Sequence, residues 1–422
     1  MEWALPAIAL VVLAYAAVSR RLARTPITAA MVFTAAGLLA GDSVSGLVDP
    51  NPSGETVKLL AEATLAVVLF SDAARIDLRA LREELRVPAR LLGIGLPLTI
   101  AAGFVTAMLM FGSLGWPEAL LLAVILAPTD AALGQAVVTL PSLPSRIRQG
   151  LNVESGLNDG LCVPVFVVVL AIASTEAGIA TKSHAARILV EEIGYGTLFG
   201  VAAGALGAAV ILLAGTRGLV SRSWLQVVPA AAAALAYSSA AAVGGSGFIA
   251  AFIGGIVFGG VRRRIGGEVG YLMEEVGALL GATTFIVFGA TLLEPALDDL
   301  GWAVAGYALL SLTVVRMAPV AIAMIGTGMR PPTVAFLGWF GPRGLASIVF
   351  AVLLIEAPGE LPHEGTLLTT VFLTIGLSVL LHGLSAAPLA RRYAAWVGSH
   401  PRLQPESGEV REVRWRTELP SG

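Results

Sequence analysis

The sequence predicts an all-α polytopic membrane protein of about 13 transmembrane helices, built as inverted repeats with two interrupted crossing helices. The first observation behind this prediction is composition, because 56% of the 422 residues are hydrophobic and only 13% are charged. Soluble domains carry about 25% charged residues. The second is that the apolar residues form blocks of roughly 20, the length of a helix that crosses a bilayer. A transmembrane barrel would instead show short segments of alternating polarity.

The apolar blocks follow one another along almost the whole chain, and short polar loops separate them. After the last block, residues 397–422 are predicted to form a short cytoplasmic tail. The predicted spans cover residues 3–19, 26–41, 57–74, 90–111, 117–140, 151–173, 191–215, 224–243, 246–260, 274–293, 301–326, 332–355 and 366–390.

The loops alternate in charge, and this alternation predicts the orientation of the spans. Of the 27 Lys and Arg residues, 22 lie in the loops that follow odd-numbered spans or in the C-terminal tail. The other side of the membrane holds Lys58, Lys182 and Arg187, and its loops are otherwise acidic or neutral. Because basic loops stay on the cytoplasmic side, we expect the N-terminus outside and the C-terminus inside. The expected location is the plasma (inner) membrane.

Two spans carry a proline and a charged residue near their middle. Span 5 contains the run Pro-Thr-Asp that ends at Asp130, and span 12 contains the run Gly-Pro-Arg-Gly around Arg343. Proline removes a backbone donor and clashes with the preceding turn, so each helix is expected to break there. The two spans are seven apart in order, so they run in opposite directions. Such a pair of breaks indicates an inverted-repeat transporter with a site near the middle of the membrane.

The charges at the two breaks have a predicted role in the electrostatics of the half-helices. Half-helix ends that meet at a crossing expose partial charges of both signs. We expect Asp130 to offset the positive N-terminal ends and Arg343 to offset the negative C-terminal ends. Asp130 can in addition contact a bound ion through water.

Asp159 is the first candidate for the chemistry, because a carboxylate at membrane depth is costly and marks a functional site. Thr129, Ser155, Asp130 and Asp159 together supply the oxygen ligands that a dehydrated Na+ or Li+ requires. Ser155 and Asp159 are four residues apart and therefore share one helical face. Asn158 is expected to form a hydrogen bond that stiffens the broken region.

Glu154 lies about 140° around the helix from Asp159, so the two acids face different ways. A buried charge without a partner costs several kcal/mol, and we therefore expect Glu154 to pair with Arg316 in span 11. Burial disfavours the charged form of a carboxyl group, so Asp159 can exchange a proton for a cation near neutral pH. One carboxylate that holds either a proton or a monovalent cation predicts one-for-one, electroneutral exchange.

Three further titratable residues keep two interpretations each. Asp72, near the cytoplasmic end of span 3, either pairs with Arg75 at i,i+3 or provides a third carboxylate beside the ion path. Glu62, nearer the middle of the same span, either lies at a subunit interface or pairs with a polar neighbour. His382 in the last span either senses pH or is a packing residue with satisfied hydrogen bonds.

These motifs, taken together, resemble the NhaP-type sodium/proton antiporters, which belong to the electroneutral branch of the monovalent cation/proton antiporters. The resemblance covers essentially the whole chain. It rests on the Thr-Asp pair 129–130, the Glu-Ser-Gly-Leu-Asn-Asp run 154–159, Arg316 and the Gly-Pro-Arg-Gly run 341–344. It implies Na+ at Asp159 with Ser155 and Thr129 as ligands, and the Asn-Asp pair implies electroneutral exchange. Many relatives carry a glutamate directly after Leu-Phe in span 3, where this chain has Ser71 followed by Asp72.

The resemblance also implies a homodimer in which each protomer has two domains. One is a dimerisation domain, formed by spans 1–3 (residues 1–89) and spans 7–10 (residues 174–300). The other is a core domain that moves during transport, formed by spans 4–6 (residues 90–173) and spans 11–13 (residues 301–396).

The leading interpretation is therefore a sodium (or lithium)/proton antiporter of a plasma membrane. A potassium/proton antiporter of the same architecture is the close alternative. A gated cation channel would need a continuous pore with filter oxygens, and a sodium-coupled symporter would need a roomier pocket with polar groups for its solute. The sequence carries no redox, hydrolytic or nucleotide-binding motif, so we expect no enzyme, no cofactor and no nucleic-acid partner. The expected partners are the transported ions, the lipid bilayer and a second copy of the chain.

Overall fold

The computed structural model describes residues 4–23, 25–42, 44–46, 55–76, 86–130, 133, 137, 140–178, 182–214, 217–262, 270–400 and 406. Throughout this part of the chain the regular structure is helical, as the composition predicts. Eight of these helices are long and apolar enough to cross a membrane, and four shorter apolar helices accompany them. The chain is therefore a multi-pass membrane protein.

We number the helices in chain order. Their bounds are α1 Ala4–Leu22, α2 Ala29–Ala40, α3 Glu55–Arg75, α4 Arg86–Arg90, α5 Leu96–Met110, α6 Trp116–Ile125, α7 Ser145–Glu176, α8 Lys182–Ala209, α9 Arg222–Ala242, α10 Gly247–Arg262, α11 Tyr271–Val287, α12 Glu294–Ala296, α13 Trp302–Leu312, α14 Val314–Ala323, α15 Pro331–Trp339, α16 Leu345–Ile355 and α17 Glu364–Gly398.

Each predicted span overlaps one of these helices or a pair of them. The second half of predicted span 5 and most of the predicted tail lie largely outside the described residues. Both expected interruptions are present, because α6 ends before Pro128 and the chain is not helical between α15 and α16. The number of crossings and their orientation remain predictions from the sequence.

Several helical irregularities were not predicted from the sequence. Single π-helical turns, at Leu91–Gly95, Val210–Ala214 and Phe288–Leu293, join or extend the helices of three predicted spans. Span 11 is divided at Thr313, whose backbone angles of φ −113° and ψ −93° are far from helical values. A new helix, α14, begins after this division at Val314, two residues before Arg316. It therefore helps to set the position of that side chain.

The helices of the predicted dimerisation domain pack closely on one another, with α10 lying between α3 and α8. Small residues make this possible, as the glycine-rich sequence suggests. A Cβ atom on Gly200 or Gly204 of α8 would overlap the backbone of Ala250 or Gly254 on α10. The backbones of the two helices therefore touch directly. The division into two domains itself stays a prediction.

The helices of the predicted core domain surround α6 and the break between α15 and α16. Helix α6 packs against α5, α7 and α17, and α16 contacts both α6 and α7. Helix α6 starts at a defined place because Glu118 accepts a hydrogen bond from the Gly115 amide, at 2.8 Å, in a capping arrangement. These contacts bring both broken helices beside the middle of α7, where the candidate acids lie.

Candidate ion site at the crossing of two broken helices

The two interrupted helices cross at their breaks and are hydrogen-bonded to each other there. Helix α6 ends at Ile125, since Pro128 cannot continue it. In the extended segment that follows, the Asp130 amide donates to the Pro342 carbonyl at 2.8 Å. The Ser347 hydroxyl, in the first turn of α16, donates to the Ile125 carbonyl at 2.7 Å. Backbone groups that the breaks release are thus satisfied across the crossing, as an apolar environment requires.

Each charged residue at a break contacts the end of the opposite helix. Arg343 is fully buried, and its Nη1 donates to the carbonyls of Ala127 and Pro128, at 3.0 and 3.2 Å. In return, Asp130 Oδ2 accepts a hydrogen bond from the Leu345 amide at the start of α16, at 3.1 Å. The arginine therefore lies at a C-terminal half-helix end and the aspartate at an N-terminal one, which matches the signs of the helix dipoles.

The two glycines of the Gly-Pro-Arg-Gly run leave room for charged side chains. A Cβ atom on Gly341 would overlap the guanidinium group of Arg316, and one on Gly344 would overlap the carboxylate of Asp130. Both charged groups thus pass directly over the backbone of the break. This contact gives a physical reason for the motif that the sequence alone could not supply.

The predicted ligands are brought together around Thr129, which is buried. The Ser155 hydroxyl donates to the Thr129 carbonyl at 2.5 Å, and Asn158 Nδ2 donates to Thr129 Oγ1 at 2.6 Å. The extended segment of span 5 is therefore held against α7 one turn from Asp159. Asn158 thus makes a hydrogen bond to the broken region, as expected, and its stiffening effect stays a prediction.

Two buried oxygen atoms at this place have no hydrogen-bond partner within the described part of the chain. They are Asp159 Oδ1 and Asn158 Oδ1. The two residues are 8% and 1% exposed, respectively. Asp130 and Asp72 both act electrostatically on Asp159. An unpartnered buried oxygen is costly, and more so on a carboxylate with other carboxylates nearby. The arrangement therefore favours a proton or a cation on Asp159.

The predicted pair between Glu154 and Arg316 is present in the structure. Arg316 Nη2 lies 2.6 Å from Glu154 Oε1 and 2.9 Å from Glu154 Oε2, and both side chains are at most 2% exposed. Glu154 is thereby neutralised by its own partner, although it is only five residues before Asp159.

Asp72 has features of both interpretations offered by the sequence. It lies 3.9 Å from Arg75, but Arg75 makes its closer contact with Glu274 of α11, at 2.8 Å. The Asp72 side chain also lies against Gly156 of α7, where a Cβ atom would touch it. Gly156 is one turn before Asp159, so Asp72 is placed beside the candidate site. Nothing in the spacing of the sequence predicts the contact between Arg75 and Glu274, because the two residues lie on different helices, α3 and α11.

The two remaining titratable residues lie away from Asp159 and have polar partners. Glu62 interacts with the hydroxyl of Tyr237 on α9, within the predicted dimerisation domain. His382 is buried, with Nε2 2.9 Å from the Trp339 carbonyl before the break in span 12 and Nδ1 3.2 Å from the Ser378 hydroxyl on its own helix. Ser378 in turn accepts a hydrogen bond from the Arg343 amide beyond the break. The partner that joins His382 to the far side is Ser378, which sequence reasoning missed. Its position one turn before a histidine was the available signal.

Known proteins share the sequence pattern and the fold of this chain. The family described as "Sodium/hydrogen exchanger, transmembrane" matches residues 8–392. The chain belongs to this family. Among solved structures, the exchanger fold is shared with the sodium proton antiporter MjNhaP1 from Methanocaldococcus jannaschii, at a TM-score of 0.75 and 20% identity. That match covers 93% of this chain and 99% of the other.

Two curated relatives differ in the cation that their names specify. The K(+)/H(+) antiporter NhaP2 of Shewanella oneidensis is 26% identical over 367 residues, or 86% of this chain. This chain spans only 62% of the length of that relative. The Na(+)/H(+) antiporter NhaP of Pseudomonas aeruginosa is 27% identical over 359 residues, which covers 78% of this chain and 80% of the relative.

Proposed function

We propose that this exchanger-family chain exchanges Na+ or Li+ for H+ across the plasma membrane by alternating access, with Asp159 binding the cation and the proton in turn. The observation that carries the proposal is the pair of buried oxygens, Asp159 Oδ1 and Asn158 Oδ1, that have no partner in the described part of the chain. Either a proton or a cation on Asp159 would relieve the cost of burying its charge.

The neighbouring groups suit a small monovalent cation. Thr129 Oγ1 accepts from Asn158 and keeps a second lone pair, and the Ser155 oxygen lies beside the same residue. Together with the Asp159 carboxylate, these oxygens can replace part of the hydration shell of an ion. Because Asp159 holds one charge, either one proton or one cation is carried in each half of the cycle.

In the proposed cycle, the core domain moves against a homodimeric dimerisation domain. The crossing of the two broken helices is tied by hydrogen bonds between its own segments, which supports movement as one body. Asp72 borders the site from α3 of the other domain, and we assign it to the cytoplasmic entrance.

Potassium is the alternative cation for the same mechanism. The relative from Shewanella oneidensis is named a K(+)/H(+) antiporter, whereas the relative from Pseudomonas aeruginosa is named a Na(+)/H(+) antiporter. The donor set at Asp159 is compatible with either ion, since both bind through oxygen ligands.

The experiment that tests the proposal uses purified full-length protein in liposomes with an imposed pH gradient and a pH-sensitive dye. We expect Na+ or Li+ to collapse the gradient, and K+ is added in turn under the same conditions. Asp159→Asn is expected to abolish the response, because the single alternating carboxylate is lost. The matched control is Glu62→Gln, which removes an intramembrane carboxylate from the other domain and should retain exchange.

Two outcomes would contradict the proposal. One is exchange in Asp159→Asn liposomes at the wild-type rate. The other is a wild-type protein that shows no cation-dependent proton movement with any of the three ions. If only K+ collapsed the gradient, K+ would replace Na+ as the proposed transported cation, and the proposed mechanism would stay the same.

A further inference from the structure

The buried histidine of the last span has no part in the mechanism described so far. His382 lies on α17, is 1% exposed, and packs against Trp339 with the ring centroids 5.0 Å apart and the ring planes tilted by 30°. Trp339 is the last residue of α15, directly before the break in span 12. The histidine is therefore placed at the point where that helix stops.

The two nitrogens of the ring reach the two sides of the break. Nε2 lies 2.9 Å from the carbonyl oxygen of Trp339, on the α15 side. Nδ1 lies 3.2 Å from the hydroxyl of Ser378, which itself accepts a hydrogen bond from the Arg343 amide at 2.7 Å, on the α16 side. A chain of hydrogen bonds thus runs from one half-helix through the imidazole to the other.

The donors and acceptors in this chain match a neutral ring. The Trp339 carbonyl only accepts, so Nε2 carries the hydrogen, and Nδ1 can then accept from the Ser378 hydroxyl. The Ser378 carbonyl, 3.1 Å from Nδ1, would become the acceptor if the ring were charged. Arg343 and Arg316 both act electrostatically on the imidazole. A third buried positive charge without a carboxylate partner would be costly.

The surface of α17 that faces the break is polar over two turns. Ser385, three residues after His382, accepts a hydrogen bond from Trp339 Nε1 at 2.9 Å. Ser378, His382 and Ser385 share one helical face and hold the residues on both sides of the break. Arg343, fixed in this way, donates to the carbonyls that precede Thr129, so the geometry of the ion site depends on this contact.

We propose that His382 is a positioning residue whose two ring nitrogens hold the two sides of the break of span 12 together, and that its titration has no part in transport. The inference rests on the proposed function for its effect on ion binding. Its structural half, the bracing of the break, does not depend on the identity of the cation.

The test compares His382→Gln, His382→Leu and Ser378→Ala with the wild type. Glutamine keeps a donor and an acceptor, whereas leucine keeps only volume. We expect His382→Gln to retain at least half of the exchange rate with an unchanged pH profile. We expect His382→Leu and Ser378→Ala to raise the apparent KM for the cation about fivefold or more. The matched control is Thr374→Val. Its buried hydroxyl donates to the Thr370 carbonyl of the same helix at 2.7 Å and to no other group among the described residues, so the change should affect neither quantity.

A second measurement tests the stabilisation of the break by His382 independently of the proposed transport activity. Hydrogen–deuterium exchange of the peptide that contains residues 339–345 should become several-fold faster in His382→Leu and Ser378→Ala, and stay unchanged in His382→Gln and Thr374→Val. This result is expected even if the liposomes show no exchange of any cation. The inference is overturned if the peptide is equally protected in all variants, or if His382→Gln shifts or flattens the pH profile.

Discussion

The α8–α10 pair and the crossing of the broken helices both bring two backbones into direct contact, by opposite means. In the helix pair, side chains are missing where the backbones meet, as at Gly204 and Gly254. At the crossing, charged side chains fill the space, and Asp130 and Arg343 each bind the end of the opposite helix. The first contact is stabilised by close packing, and the second by hydrogen bonds from charged side chains to the ends of the opposite helices.

This difference indicates how the two regions should respond to mutation. An apolar, glycine-lined contact fails when volume is added, and no charge on the ion site is disturbed. A charged crossing fails when one member of a pair is removed, since its partner is then buried alone. The predictions below separate these two kinds of damage, in order of decreasing expected effect.

The largest effect is expected for the buried pair between Glu154 and Arg316. Glu154→Gln or Arg316→Met alone should lower the free energy of unfolding by about 3–5 kcal/mol, because each leaves a buried charge unpaired. The double variant Glu154→Leu/Arg316→Met should recover part of this loss. Thermal unfolding of the purified variants gives the double-mutant cycle, and additive losses would show that the two residues do not interact.

A smaller effect is expected when a methyl group is added between α8 and α10. Gly204→Ala should cost about 1–3 kcal/mol, because the new Cβ atom meets the Gly254 backbone, which cannot rotate away. The matched control is Gly194→Ala on the same helix, where, apart from the neighbouring backbone of α8 itself, no atom of the described residues lies within 4 Å of the added group. The comparison is made by thermal unfolding. Equal stability of the two variants would show that close packing of the glycines is unimportant.

The last prediction is the absence of an effect: the rate of exchange should not depend on the membrane potential. Glu154 is neutralised by Arg316, and Asp130 binds a helix end, so Asp159 alone is proposed to alternate between proton and cation. The exchange rate in liposomes should then stay constant when a permeant ion sets different potentials. One net charge moved through 100 mV is worth about 2.3 kcal/mol, so an electrogenic cycle would be plainly visible.

A rate that changes several-fold with potential would show that a second carboxylate titrates. Asp72 and Asp130 would then be the residues to replace first, because both act electrostatically on Asp159. Asp72→Asn and Asp130→Asn should be compared with Glu62→Gln, which lies outside this cluster.

The sequence predicted the features that depend on local spacing and on the cost of burying charge. The two breaks followed from Pro128 and Pro342, and the pairing of Glu154 with Arg316 followed from the cost of an unpaired buried charge. What it could not predict were contacts between distant segments. Asp130 and Arg343 each bind the end of the other broken helix, and Arg75 contacts Glu274. These contacts depend on how the helices cross in space. The division of span 11 at Thr313 has no proline or glycine to mark it.

The hydrogen bonds that join the broken helices to each other have a thermodynamic consequence for the proposed antiporter. A site whose walls are tied together keeps the same ligand geometry whichever face of the membrane it is open to. Its intrinsic affinity for the ion would then be equal on both faces. Such a carrier works equally well in reverse, and the concentrations of protons and cations on the two sides alone decide its direction.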